Sequence, residues 1–312
     1  MSVLNKRYFH SEKAAIAKLE SIIWPDGPVC PHCGSKRKIY EIKGKSTRPG
    51  LKKCGDCRKQ FTVKVGTVFE SSHVPLYKWF QAAYLMASSK KGISAHQLHR
   101  TLEVTYKTAW FMAHRLREAM IDINPEPMGG EGEWVQADET YIGKLETPRV
   151  RNKYLPPPTK AGRSGPAEKR AVVSLISGGK ARTFHVHSAN AATVRDILVK
   201  NVRRESDLHT DESRIYTTVG KEFAHHRTVN HGRKEYVGKH GQTTNNVENY
   251  FSIFKRGMKG IYQHCREKHL QRYLTEFDFR YNSRDVEDLE RTLSIFSGIV
   301  GKRLTYREPT SA

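Results

Sequence analysis

Four cysteines near the start of the chain have the spacing of a metal site. Cys30 and Cys33 form one C-x-x-C pair, and Cys54 and Cys57 form a second pair further on. Each pair can make a tight turn whose two thiolates share one ion, and two such turns complete a tetrahedral site. The spacing therefore predicts one structural Zn²⁺ held by these four cysteines. The alternative is a pair of redox motifs, which would need a thioredoxin-like βαβ setting that the surrounding pattern lacks.

Three carboxylates in the second half of the chain fall where a sheet could bring them together. Asp138 lies within a predicted strand, Asp211 directly follows another, and Glu248 begins a long helix. In an RNase H-like fold the two strand positions lie side by side, and the helix brings the third acid across them. Such a cluster can hold two Mg²⁺ ions, which clamp the attacking and leaving oxygens of a phosphodiester. The alternative is three ordinary solvated acids.

Basic residues follow the third acid at helical spacing. Residues seven apart on an α-helix differ by only about 20° around its axis, so Lys255 should share a face with Glu248. Lys259 is predicted to rejoin that face, and Arg256 adds a further charge. Aligned lysines beside a metal-binding carboxylate suit a helix that holds DNA phosphates. A solvated basic face would explain the lysines but not their alignment with the glutamate.

The segment 71–124 is predicted to be helical and to bind DNA. Apolar periodicity predicts a helix from Leu76, and Ser94 can cap a short helix that ends near Leu102. Thr105 can cap a third, longer and basic helix. This helix completes a helix-turn-helix pattern, in which the first residues of the recognition helix meet base edges. A plain three-helix bundle with a solvated basic face is the alternative. The predicted DNA contacts here are Thr105, Tyr106, Lys107 and Arg115.

Composition changes divide the chain into an α/β domain and three smaller segments before it. Pro and Gly between 125 and 130 cannot continue a helix and predict a joint. Beyond it the pattern indicates a mixed five-stranded sheet with helices. The stretch from Thr147 to Ala167 is rich in Pro, Gly and charge, so it is predicted to be a mobile loop. The predicted domains are an N-terminal helix (1–25), a zinc ribbon (26–70), the helix-turn-helix segment (71–124) and the catalytic domain (131–300).

The overall composition favours a polyanionic partner. The 312 residues include 54 Lys+Arg against 32 Asp+Glu, a formal net charge of +22. A hydrophobic fraction of 37% is too high for a disordered basic tail. No apolar run approaches the roughly 18 residues of a membrane helix, and the N-terminus lacks the apolar stretch of a signal peptide. We therefore expect a cytoplasmic, nucleoid-associated protein rather than a membrane protein; a basic but otherwise ordinary enzyme is the alternative.

Several longer motifs occur together with these features. They surround the three acids, both cysteine pairs and a predicted C-terminal helix: Asp138–Gly143, His209–Ser213, Asn246–Gly257, Cys30–Gly34, Cys54–Phe61 and Lys268–Asn282. Together they resemble the DDE transposases of bacterial insertion sequences that carry an N-terminal zinc ribbon. The resemblance extends from about Leu19 to Arg284, nearly the whole chain.

The resemblance implies a site, a reaction and partners. It implies that Asp138, Asp211 and Glu248 are the catalytic ligands of two Mg²⁺ (or Mn²⁺) ions, with Lys255 as the family's basic residue after the third acid. It further implies a transposase that binds double-stranded terminal inverted repeats, exposes a 3′-OH and joins it to target DNA. Such enzymes commonly act as homo-oligomers on paired ends.

Two other functions stay open from the sequence, and one class of cofactor is not expected. A domesticated transposase would be a non-catalytic DNA-binding protein. An RNase H-like nuclease would cleave without strand transfer. No nucleotide cofactor is expected, because the sequence has no G-x-x-x-x-G-K-[ST] loop.

Overall fold

Two structural units share the chain, and the break between them falls just before the predicted Pro/Gly joint. The computed structural model describes residues 2–44, 46–146, 169–230, 232 and 237–310. The first unit contains the chain up to Asp122 and again from Ser283, and the second runs from Ile123 to Asn282. The predicted mobile loop between Thr147 and Ala167 lies outside the described residues.

The first unit begins with a helix and a small sheet. Helix α1 spans Glu12–Ile23, and the hydroxyl of Ser11 caps it by accepting a hydrogen bond from the N–H of Ala14. The apolar cluster of this sheet is small, with three buried members, so its strands need a further staple to fold. The strands form an antiparallel sheet in the order β1 (Ile39–Glu41), β2 (Lys52–Cys54), β3 (Gln60–Phe61).

Three helices follow the small sheet, with caps where the sequence predicts them. They are α2 (Leu76–Ser88), α3 (Ala95–Leu102) and α4 (Tyr106–Ala119). The Ser94 hydroxyl accepts from the N–H of Gln97 at the start of α3, and the Thr105 hydroxyl accepts from the N–H of Thr108 at the start of α4. The turn between α3 and α4 is tight because Glu103 adopts a left-handed conformation (φ +51°). The predicted helix–turn–helix order is confirmed.

The second unit is built on a mixed five-stranded sheet. Its strands are β4 (Trp134–Ile142), β5 (Arg170–Ser177), β6 (Lys180–Val186), β7 (Asp207–Asp211) and β8 (His225–Val229). Their spatial order is β6-β5-β4-β7-β8; β5 is antiparallel to β4 and β6, whereas β7 is parallel to β4 and β8. The turn Gly178–Gly179 has positive φ at both residues, as a two-residue hairpin requires. This strand order is that of an RNase H-like fold, and the predicted fold class is confirmed.

Helices cover both faces of this sheet. They are α5 (Ala191–Asn201), α6 (Asn245–Gly257) and α7 (Leu270–Asn282). Strand residues alternate between the faces, so Val135 and Ala137 pack with α5 while Val172 packs with α6 and α7. The sheet therefore has one apolar core on its α5 face and a second apolar core on its α6 face.

The C-terminal segment belongs to the first unit, although the catalytic domain is predicted to extend to residue 300. Helix α8 spans Asp288–Ser297, and a short helix α9 spans Arg307–Thr310. Phe296 of α8 is buried and stacks on Phe80 of α2 with ring centroids 4.2 Å apart. This apolar contact packs α8 against α2. None of the helices in the described ranges is both long and apolar enough to cross a membrane.

Candidate functional site

Asp138 and Asp211 lie side by side on the α6 face of the sheet. Strands β4 and β7 are parallel neighbours, and Gln136 is level with His209 in their register. The same offset continued by two residues aligns Asp138 with Asp211. Trp134 and His209 stack with their rings 12° from parallel, which places the alternate residues of both strands on one face. The sheet therefore brings the first two predicted acids together.

Glu248 approaches the same face from helix α6. The helix begins at Asn245, so Glu248 lies in its first turn. The hydroxyl of the buried Thr244 donates a 2.8 Å hydrogen bond to Oε1 of Glu248 and fixes the carboxylate near the helix start. The positive end of the helix dipole favours an anion at this position.

The electrostatics of Asp138 show that the three acids influence one another. Burial raises the pKa of Asp138 well above its ordinary value, and the charges of Glu139, Asp211 and Glu248 raise it further. The N–H of Glu139 donates to Oδ1 of Asp138 and partly offsets these effects. Oxygen ligands crowded in this way suit a hard divalent cation, which relieves the repulsion that raises the pKa.

Glu139 and Tyr216 form a second, unpredicted feature beside the acids. The Tyr216 hydroxyl donates a 2.8 Å hydrogen bond to Oε2 of Glu139, and the tyrosine is fully buried in the core on the α5 face. Burial raises the pKa of Glu139, and Asp211 also raises it, whereas the bond from Tyr216 lowers it. Glu139 follows Asp138 directly in the sequence, and that adjacency is the only sequence signal for its place here.

The four cysteines converge on one point in the first unit. Their sulfur atoms all lie within 4.8 Å of one another, with Cys30 and Cys57 3.6 Å apart and Cys33 and Cys54 3.7 Å apart. In a tetrahedron with Zn–S bonds of about 2.3 Å the sulfur–sulfur edge is roughly 3.8 Å. The donor set therefore fits Zn²⁺. In the described part of the chain no other group of three or more His, Cys, Asp or Glu is gathered this closely, the three acids included.

The thiols of this cluster have opposite pKa shifts. Burial raises the pKa of Cys30, but hydrogen bonds from the backbone of His32 and Cys33 and from neighbouring thiols bring it down to about 7. A backbone hydrogen bond from Ser35 lowers the pKa of Cys33, but burial and the neighbouring sulfurs raise it to about 12. Ionisation of Cys30 therefore disfavours ionisation of Cys33. A bound cation would balance the negative charges of several thiolates in such a cluster.

The predicted DNA contacts of the helix-turn-helix divide into two groups. Thr105, Tyr106 and Lys107 are exposed at the start of α4, as a recognition helix requires. Arg115 does not fit its predicted role. It is only 7% exposed, its guanidinium stacks on Phe111, and its Nε donates a 3.2 Å hydrogen bond to the carbonyl of Leu304. Arg115 is part of the core because the C-terminal segment covers it.

The basic residues after Glu248 lie on a helix that changes from α to π geometry after Gly257. Helix α6 is regular through Gly257, so Lys255 shares a helix face with Glu248. The chain then continues as a π-helical turn, Met258–Tyr262, which has a different angular spacing. Only the last two residue steps to Lys259 lie in this turn, so the alignment of Lys259 with Glu248 stays a prediction; Lys259 is exposed. The exposed Arg256 is held against its own helix by hydrogen bonds to the carbonyl and hydroxyl oxygens of Ser252.

Two family models match the chain, one in each structural unit. Residues 130–282 match the family model of the ISXO2-like transposase domain, and residues 10–60 match that of the transposase zinc-ribbon domain. The first match coincides with most of the second unit and, like that unit, ends at Asn282. The second match contains all four cysteines.

Individual relatives are similar to the chain over most of its length. An uncharacterized protein in the transposable element ISH50 of Halobacterium salinarum is 29% identical over 281 residues, 87% of this chain and 91% of that protein. A pre-cleavage Mos1 transpososome and the Mos1 strand transfer complex align with 72% and 70% of this chain, and 79% and 73% of theirs, at 14% identity with TM-scores of 0.27 and 0.29. By its zinc ribbon and its ISXO2-like domain, the chain belongs to the insertion-sequence DDE transposases that carry an N-terminal zinc ribbon.

Proposed function

We propose that this transposase cleaves DNA at the ends of its element and joins the exposed 3′-OH to target DNA. The observation that carries the proposal is the placement of Asp138, Asp211 and Glu248 on one face of the sheet, close enough for their charges to raise the pKa of Asp138. Three carboxylates with this mutual repulsion form a donor set for Mg²⁺ or Mn²⁺.

The protein contributes position and charge to this reaction. Two divalent ions at the three acids would supply an activated nucleophile and would neutralise charge on the leaving oxygen. Asp138 and Asp211 provide ligands from a rigid sheet, and Thr244 orients the carboxylate of Glu248. Lys255, on the same helix face as Glu248, is placed to hold a DNA phosphate next to the acids.

Recognition of the DNA ends is assigned to the first unit. The exposed start of α4, with Thr105, Tyr106 and Lys107, supplies side chains for base edges and phosphates. The cysteine cluster would hold one structural Zn²⁺, which supplies the folding energy that the small sheet lacks. The net charge of +22 favours a double-stranded DNA partner, both terminal inverted repeats and target. Action as a homo-oligomer on paired ends, in the cytoplasm at the nucleoid, completes the proposal.

A joining assay distinguishes this function from its two rivals. The protein is incubated with a pre-cut terminal fragment bearing a 3′-OH, a supercoiled target plasmid and Mg²⁺ or Mn²⁺. Covalent joining of the fragment to the plasmid supports a transposase. Cleavage of an uncut terminus without joining would identify a nuclease, and binding without either reaction would identify a non-catalytic DNA-binding protein.

A further inference from the structure

Helix α6 carries Glu248 in its first turn, but the side chain of its N-cap residue does not cap it. Its N-cap residue is Thr244, whose hydroxyl donates to the Glu248 carboxylate and makes no cap hydrogen bond. The first N–H groups of a helix have no intrahelical acceptor, and a side-chain oxygen normally accepts from the second or third of them. Another part of the fold must provide that oxygen for α6.

Gln136 of β4 provides it. Its Oε1 accepts hydrogen bonds from the N–H of Asn246 (3.1 Å) and the N–H of Val247 (3.3 Å), the second and third residues of α6. Both partners are donors, so the oxygen of the amide must face the helix. The side chain is only 1% exposed, so water cannot replace it. The first N–H of the helix, that of Asn245, is accepted by the hydroxyl of Thr243 at 3.1 Å.

The position of Gln136 links this cap to the acids. It lies two residues before Asp138 on the same strand and on the same face, and the helix start that it holds lies one residue before Glu248. One strand therefore carries the first acid and also fixes the helix that presents the third. We infer that Gln136 is a positioning residue for the proposed strand-transfer site: it sets the place of Glu248 relative to Asp138.

This inference rests on the proposed function and predicts a loss of metal affinity as well as of rate. Metal ligands must lie within about 0.2 Å of their ideal distances, and a 1 Å displacement of a reacting group can cost a hundredfold in rate. Without its acceptor, the start of α6 has two unsatisfied N–H groups and will shift or fray. Glu248 moves with it, whereas Asp138 and Asp211 stay on the sheet.

The test uses the full-length protein and substitutions at two glutamines. Gln136→Leu removes the acceptor and keeps most of the side-chain size, while Gln136→Glu keeps an oxygen in the same place. Gln271→Leu is the matched control, since the Gln271 amide also bonds a strand backbone, accepting from the N–H of His185 (2.8 Å) and donating to the carbonyl of Thr183 (2.9 Å). Those bonds join α7 to β6 and leave α6 untouched. Gln136→Met replaces Gln136→Leu if the leucine variant does not fold.

Two readouts are measured for each variant: Mn²⁺ binding by calorimetry without DNA, and joining of a pre-cut end as a function of Mg²⁺. We expect Gln136→Leu to weaken Mn²⁺ binding by roughly tenfold and to lower joining by roughly ten- to a hundredfold, with end binding unchanged. Gln136→Glu should retain most of the Mn²⁺ affinity and most of the joining activity, and Gln271→Leu should match the wild type in both. Wild-type Mn²⁺ affinity in Gln136→Leu, or an equal loss in Gln271→Leu, would overturn the inference. Absence of joining by the wild type would instead reject the proposed function, and Mn²⁺ binding would still decide the role of Gln136.

Discussion

Asp138 and Asp211 are aligned on neighbouring parallel strands, at the register that Gln136 and His209 establish two residues earlier. Parallel neighbours lie about 4.8 Å apart, so two acids on the same face at the same level must influence each other electrostatically. Asp211 does raise the pKa of Asp138. The sheet fixes this pair of acids, and α6 brings Glu248 to the same face, near enough for its charge also to raise the pKa of Asp138.

Loss of one cysteine should remove zinc and unfold the ribbon. Cys54→Ser takes away one of four ligands at a fully buried position, and structural zinc contributes on the order of 10 kcal/mol to the folding of small zinc domains. We expect no bound zinc by elemental analysis and rapid proteolysis of residues 26–70. Cys265→Ser, at the cysteine of the second unit, is the control and should keep one zinc per chain. A Cys54→Ser protein that still holds one zinc would rule out the four-cysteine site.

Two basic residues of α4 should respond in opposite ways to substitution. Lys107 is exposed, so Lys107→Ala should leave the thermal midpoint unchanged and reduce the slope of log affinity against log salt by about 0.9, because one fewer counterion is released. Arg115→Ala should instead lower the free energy of unfolding by about 2 kcal/mol, since it removes the bond to Leu304 and the stack on Phe111.

Salt-dependent binding and thermal unfolding of both variants check this contrast. An unchanged salt slope in Lys107→Ala would remove Lys107 from the proposed DNA contacts. A fully stable Arg115→Ala protein would show that the covered arginine is not structural.

The stability of the second unit should depend on the ionisation of Asp278. Burial raises its pKa from 3.8 to about 6, although hydrogen bonds from Tyr250 and Thr183 lower it. Because the folded state holds this proton more tightly than the unfolded state, the contribution to stability is complete below pH 3.8 and is lost as pH rises through about 6. At about 1.4 kcal/mol per pKa unit, the loss is at most about 3 kcal/mol.

Tyr250→Phe tests this assignment. The Tyr250 hydroxyl donates a 2.6 Å hydrogen bond to the carboxylate, so its removal should raise the pKa of Asp278 further. In urea unfolding between pH 4 and 7, the free-energy difference between wild type and variant should widen as the pH rises. Tyr40→Phe, at an exposed tyrosine of the ribbon, should show no such change. A constant difference for Tyr250→Phe would contradict the assignment.

Local signals predicted the elements of the fold well. The strand predicted around Asp138 is β4, Trp134–Ile142, and Gly178 and Gly179 form the tight turn between β5 and β6. The caps at Ser94 and Thr105 were likewise predictable, because a cap is made within a few residues of the chain. The cysteine cluster followed from spacing alone.

Contacts between distant segments were not predictable in this way. The residues joined by the bond from Arg115 to Leu304 are 189 apart in the sequence, and those joined by the bond from Val247 to Gln136 are 111 apart. No local sequence pattern predicts either bond. The local pattern therefore predicts a DNA contact for Arg115 and gives no signal for the role of Gln136.

In the proposed site, Asp138, Asp211 and Glu248 perform chemistry and not recognition. Asp138→Asn, Asp211→Asn and Glu248→Gln each keep the size of the side chain and remove the charge that would hold a divalent ion in the proposed site. Asp207→Asn is the matched control, since Asp207 lies at the other end of β7 and pairs with Arg227 at 3.2 Å.

The decisive measurement compares binding and joining of the same terminal-repeat DNA by these four variants in Mg²⁺. Each of the three triad variants should bind the DNA within about twofold of wild type and lose joining by at least roughly a thousandfold, because its activated nucleophile and charge neutralisation are gone. Asp207→Asn should bind and join normally. Near-normal strand transfer by any one of the three triad variants would show that its carboxylate is not a metal ligand and would contradict the proposed site.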